Sequence, residues 1–171
     1  MLCLEVPGAE KMMEPSFEKL LAHLAEAQID FILVGGLAVA LNGFVRLTEG
    51  VDILISTEPE NITRFLSAMS NFGEGHGSTF LPEDFDDSFG ALRLIEESEQ
   101  SQLDIFTQMD GKNYADWIAH TNSFSLNGRE IRNASRSMLI QFKSSSVREK
   151  DQIDVIALRK LEEEEATPPE S

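Results

Sequence analysis

The chain has little cysteine, little aromatic variety and little positive charge. Its 171 residues include one Cys, one Trp and one Tyr, and 14 Lys and Arg stand against 30 Asp and Glu for a net charge of −16. With Cys3 alone there is no intrachain disulfide and no cysteine-based zinc site within one chain, so a terminal, exposed thiol is expected. No apolar run approaches the roughly 20 residues that cross a bilayer. The opening MLCLEVPGAE has neither a basic flank nor a long apolar core, so it does not read as a secretory signal and a cytoplasmic protein is expected. The acid excess opposes general attraction to nucleic acid. Its distribution is uneven, however: residues 129–160 hold eight basic side chains (Arg129, Arg132, Arg136, Lys143, Arg148, Lys150, Arg159, Lys160) against four acidic ones. That segment either faces a phosphate or forms solvated helix faces.

What is present is an ordinary globular composition, 42% hydrophobic and 26% charged, of a length suited to one domain. Pro15 precedes Phe17, Leu20, Leu21 and Leu24 at helical spacing. FILV then reads as a buried strand with a sharp exit at Gly35-Gly36, LAVALNG as a helix ending near Gly43, and GVDILIS (50–56) as a second strand. A helix is predicted over 59–72, with Ile62, Phe65, Leu66 and Met69 facing the core. Residues 73–90 lack a period and are expected to form a loop shaping an acceptor site. ALRLIEE and QLDIFTQ read as a hairpin, 113–121 as a short helix with Trp117 as a packing anchor, and Asn127-Gly128 as a two-residue turn in a second hairpin. Two helices follow, and the second, VREKDQIDVIALRKL, is expected to supply apolar contacts from Val147, Ile153, Val155, Ile156, Leu158 and Leu161. These readings give an N-terminal extension over 1–13, one domain over 14–161 and an acidic, disordered tail over 162–171.

The chemistry concentrates in 34–55, VGGLAVALNGFVRLTEGVDILI. Alternation on a strand points residues 50 and 52 together and Glu49, Val51 and Ile53 away. Asp104 lies in a second apolar strand, and if the two strands are neighbours, Asp52 and Asp104 converge on one hard cation such as Mg²⁺. Otherwise each is exposed at a sheet end or hydrogen-bonded to backbone. Gly35-Gly36 between strand and helix leaves backbone N–H groups open to an anion, although a glycine pair alone is also a plain tight turn.

The order of VGGLAVALNGFVRLTEGVDILI, LDIF and VREKDQIDVIALRKL resembles the small nucleotidyltransferases of the polymerase-beta-like superfamily, especially the bacterial type of toxin–antitoxin and abortive-infection systems. The resemblance spans about 15–161 and implies an α/β fold, a nucleotidyltransferase-like twisted mixed β-sheet flanked by helices on one side. It implies transfer of a nucleoside monophosphate from a nucleoside triphosphate to a hydroxyl on a protein, RNA or small acceptor, with Mg²⁺ or Mn²⁺. By position, Gly35 and Gly36 would cradle the triphosphate, Arg46 and Thr48 would match an R-x-T approach to the strand, Asp52 and Asp104 would be metal-binding and catalytic, and Lys143, Arg148, Lys150 and Asp151 would match a basic stretch beside the cleft. An antitoxin-like partner or a homo-oligomer is also implied. Gly50 departs from this pattern, because the family places its first Asp there. Glu49 is the nearest replacement but points the wrong way on a regular strand, unless a bulge or an irregular strand start turns it inward. A catalytically silent nucleotide-sensing or protein-interaction module is the competing reading, under which Gly50→Asp is expected to restore some transfer.

Overall fold

Pro15 at the first helical position and four apolar residues on one stripe produce helix α1, Pro15–Glu26, whose Phe17, Leu20, Leu21 and Leu24 are buried. The structure, a computed structural model, describes residues 13–86 and 90–167. Cys3 and the rest of 1–12 lie outside the described residues, while Met13 is buried against the core. Strand β1, Phe31–Val34, runs straight into α2, Gly35–Leu41. Gly35 makes that junction with a φ of +72°, a conformation that costs other residues strain.

Strand β2, Val51–Ile55, is followed by α3, Pro59–Ser70, the hairpin of β3, Leu92–Glu96, with β4, Ser101–Phe106, and the short α4, Tyr114–Trp117. The second hairpin joins β5, Thr121–Leu126, to β6, Arg129–Ala134. Its turn residues Asn127 and Gly128 both have positive φ, as the tight primed turn of a twisted hairpin requires. Helices α5, Arg136–Ser144, and α6, Glu149–Ala166, close the chain. Trp117 is buried, donates its indole N–H to the Met109 carbonyl and meets Phe142 edge-on.

The six strands form one mixed sheet in the order β3-β4-β2-β1-β6-β5. β1 pairs antiparallel with β2 and parallel with β6, and β2 pairs parallel with β4. The parallel β2–β4 pair needs a long crossover, which α3 and β3 supply. All four residues of β1 and residues 53–55 of β2 are at most 5% exposed, so the sheet centre is covered on both faces rather than on one.

Two sequence expectations change at α6. Val155 and Leu158 are buried, but Ile153 and Ile156 are 47% and 67% exposed, because a 100° step per residue cannot carry all of these apolar side chains to one face, and Val147, 90% exposed, lies before the helix begins. The helix also continues through residues 162–166, where a disordered tail is expected, and Arg136 pairs with Glu165 at 2.6 Å. Residues 168–171 lie outside the described residues.

Candidate active site

Strand register sets out the site. Val34, Asp52, Asp104 and Arg93 are successive partners across β1, β2, β4 and β3, and directly opposed side chains on one face of a sheet stand about 5 Å apart. On β4 the alternation is regular: Gln102, Asp104 and Phe106 line a cavity, while Leu103 and Ile105, each 1% exposed, point into the core. Asp52 faces the same cavity from β2.

The glycine pair makes room for what surrounds it. A Cβ at residue 35 would lie 1.9 Å from Asp52 Oδ2, and one at residue 36 would lie 2.6 Å from Thr48 Cγ2 and 3.0 Å from Arg46 Nη1. The Asp52 carboxylate therefore rests on bare backbone at the β1–α2 turn. Burial pushes its pKa from 3.8 up to about 6, and repulsion from Asp104 adds to the shift while Lys143 and Arg93 oppose it. Two carboxylates held together in this way favour a cation between them.

Cations ring the carboxylates. Arg93 holds Asp104 through a two-pronged contact, Nε to Oδ1 at 2.8 Å and Nη2 to Oδ2 at 3.0 Å. Asp154, fully buried on α6, accepts from Arg46 Nε at 2.7 Å and Nη2 at 2.8 Å and pairs with Lys143 Nζ at 2.9 Å. Burial alone would raise the Asp154 pKa, but the bonds from Arg46 and Lys143 outweigh it and hold the carboxyl below the usual carboxylate range. Lys143 also reaches Asp151 Oδ1 at 2.9 Å. Arg148 and Lys150 are exposed and make no ion pair among the described residues, so their charges remain open to a ligand.

Comparison with solved structures identifies the architecture. The crystal structure of the lincosamide antibiotic adenylyltransferase LnuA with lincomycin bound aligns with a TM-score of 0.60 at 21% identity, over 87% of this chain and 98% of that one. An antigenic nucleotidyltransferase-like protein from Paracoccidioides brasiliensis aligns with a TM-score of 0.51 at 16% identity, over 94% of this chain and 79% of the other. The fold is that of a nucleotidyltransferase. No protein-family model matches the sequence, and no curated protein matches it either.

On this nucleotidyltransferase fold, one cavity gathers Gly35, Gly36, Arg46, Thr48, Asp52, Asp104, Lys143, Arg148, Lys150 and Asp151. Glu49, Arg93, Gln102 and Phe106 line it as well. Arg93 had a readable signal, since counting outward from the middle of the 97–100 turn sets it opposite Asp104. For Glu49, β2 begins only at Val51 and residues 49–50 form a bend to which strand alternation does not apply, the irregular strand start that an inward-facing Glu49 requires. The loop expectation for 73–90 changes too: none of its described residues lines the cavity. Its first half is tied to Glu96, whose carboxylate accepts the N–H groups of Glu74 and His76 at 2.8 Å each. Those three side chains are the one His and carboxylate group among the described residues placed to share a metal ion, and they lie outside this cavity.

Gly50 has a steric cause. A Cβ there would lie 2.7 Å from the Gln102 carbonyl oxygen of β4, a backbone atom that cannot swing aside. Gly50→Asp is therefore expected to destabilise the fold by about 1–3 kcal/mol rather than to rebuild a missing carboxylate. Urea denaturation of the variant checks this, and unchanged stability would contradict it.

Proposed function

We propose that this chain transfers a nucleoside monophosphate from a nucleoside triphosphate to a hydroxyl acceptor. The observation that carries the reading is the pairing of Asp52 with Asp104 at matched register on the floor of a cation-ringed cavity of the nucleotidyltransferase fold.

The residues divide the work by what already occupies them. Arg46 spends its Nε and Nη2 protons on Asp154 and its Nη1 on the Leu47 carbonyl, so it braces the loop before β2. Arg148 and Lys150 at the rim, with Lys143 behind them, are the charges assigned to the triphosphate. Gly35 and Gly36 bring backbone close to it without a side chain in the way. Asp52 and Asp104 fit one divalent cation, Mg²⁺ or Mn²⁺, which when bound supplies the positive charge that steadies the phosphates as they separate. The acceptor hydroxyl oxygen forms a bond to the α-phosphorus, the bond from that phosphorus to the β-bridging oxygen breaks, and pyrophosphate leaves with the bonding electron pair. Asp104 takes the hydroxyl proton. Arg93 must loosen its hold on Asp104 for this, and its exposed position on β3 allows that movement.

Lincomycin is the molecule bound to LnuA; the acceptor hydroxyl proposed for the present chain belongs to a small molecule, RNA or protein, and the proposed partner is an antitoxin-like protein or a second copy. No helix among the described residues is long and apolar enough to cross a membrane. The test is calorimetric titration of each triphosphate, with and without Mg²⁺, into the native protein and Asp52→Asn. Mg²⁺-dependent binding in the native protein that weakens at least about tenfold in the variant is expected, and equal binding by the two would sink the reading. The competing reading, a silent nucleotide sensor, is favoured by Gly50 and by the Arg93 pair that occupies Asp104. It predicts that bound triphosphate is never consumed, so pyrophosphate release by the native protein with any acceptor rejects it.

A further inference from the structure

One face of α6 is left uncovered. Asp154, Val155 and Leu158 are buried, while Glu149, Ile153, Ile156 and Lys160 are all exposed. At 100° per residue these four side chains fall on one stripe about 60° wide. A single exposed apolar side chain is ordinary, but a cluster of them marks a contact surface. Seven large apolar side chains are exposed among the described residues, and five of them, Val45, Leu47, Val147, Ile153 and Ile156, belong to α6 or to segments beside it. Val147 lies just before the helix, and Arg46, between Val45 and Leu47, is bonded to Asp154. We propose that the exposed stripe of α6 binds the same stripe of a second copy of this chain, with the two helices antiparallel. This surface lies beyond the transfer reading and does not depend on it.

The order of residues along the stripe selects a second copy over other occupants. A two-fold contact sets residue i against residue j and j against i. From Glu149 through Ile153 and Ile156 to Lys160 the steps are four, three and four residues. The spacing is the same in both directions, so two antiparallel copies stay in step along the whole stripe. Ile153 of each copy then meets Ile156 of the other, and Glu149 of each meets Lys160 of the other. Acid faces base at both ends. Neither charge is well matched within its own chain: Glu149 makes no ion pair among the described residues, and Lys160 has only Glu164, at 4.0 Å. The net charge of −16 on each copy opposes association, but at physiological ionic strength that repulsion is screened beyond about 8 Å. Two isoleucine pairs flanked by two exposed ion pairs make a small interface, under about 1,200 Å², so a Kd on the order of 10 µM is expected.

Sedimentation equilibrium in roughly 0.15 M salt, at concentrations about tenfold either side of that Kd, measures the dimer in the native protein and in Ile156→Asp, Glu149→Lys and Lys160→Glu. All three positions are exposed, so the variants are expected to fold, and circular dichroism verifies it. Ile156→Asp is expected to leave a monomer throughout, since it presses two carboxylates against isoleucine. Each charge reversal sets like charges together at both ends and is expected to weaken the dimer at least about tenfold. An equimolar mixture of Glu149→Lys with Lys160→Glu is expected to recover native-like affinity, because one copy then offers only lysines at these positions and the other only glutamates. Within one helix the two positions are about 16 Å apart, too far to pair, so that recovery comes only from contact between antiparallel copies. A mixture no tighter than its components would overturn the antiparallel pairing. A native protein that stays monomeric, or an Ile156→Asp variant that dimerises like the native chain, would overturn the surface altogether. Each of these results leaves the transfer reading standing, since that reading rests on Asp52 and Asp104.

Discussion

Asp154→Ala is expected to cost the fold about 3–5 kcal/mol, the range for breaking a buried ion pair by removing one partner. The carboxylate is wholly buried and is the common acceptor of Arg46 and Lys143. Truncation strands the Arg46 guanidinium, which has only the Leu47 carbonyl left to accept from it, at 3.2 Å. Lys143 fares better, because Asp151 still takes one of its protons. The double variant Arg46→Leu/Asp154→Leu is therefore expected to be less costly than the sum of its single changes, since it removes the buried carboxylate and its part-buried partner together. Denaturant unfolding of the two single variants and the double variant measures the coupling, and strict additivity would mean that Arg46 and Asp154 do not depend on each other. The pair also has a pH signature. The native pKa of Asp154 lies below its unfolded value, so its contribution is full above the unfolded pKa and is lost as pH falls through the native one.

The brace joins sequence positions 108 residues apart, so the sequence leaves Arg46 open between contacting phosphate and closing the loop before β2, and gives Asp154 no role. Periodicity identifies an element and its inward face but does not say which element lies beside it. The elements themselves were legible. α1, α3 and both hairpins follow from proline placement, apolar spacing and the Asn127-Gly128 turn. The convergence of Asp52 and Asp104 was legible only as a condition on strand adjacency, and the parallel β2–β4 pairing meets that condition. At α6 the apolar count exceeded what one helical stripe can bury. Around position 50 the two-residue period of a strand does not hold, because residues 49–50 form a bend ahead of β2. The missing Asp therefore looked like a simple loss, while the cause of the glycine, the Gln102 carbonyl, sits on a strand that begins about 50 residues later.

Asp52→Asn is expected to abolish cation-dependent triphosphate binding while making the protein more stable at neutral and alkaline pH. The native carboxyl titrates near pH 6 and the unfolded one near 3.8, so the native state binds the Asp52 proton more tightly than the unfolded state does. Stability then falls as pH rises from about 4 to about 6, and the penalty is complete above that window and absent below it. Two pKa units correspond to at most about 3 kcal/mol, and solvent reaching a half-buried group trims this to about 1–2 kcal/mol. For a chain of this length such a gain raises the melting temperature by about 2–8 °C. Thermal melts of native and Asp52→Asn at pH 8 and pH 4 measure it, with the gain expected at pH 8 and gone at pH 4. Uniform destabilisation, or a gain that persists in acid, would mean that the Asp52 charge is not the source of the strain. The same comparison with added Mg²⁺ carries the argument to function. A cation held by Asp52 offsets the burial cost of its charge, so Mg²⁺ is expected to raise the melting temperature of the native protein at pH 8 and to leave Asp52→Asn unmoved.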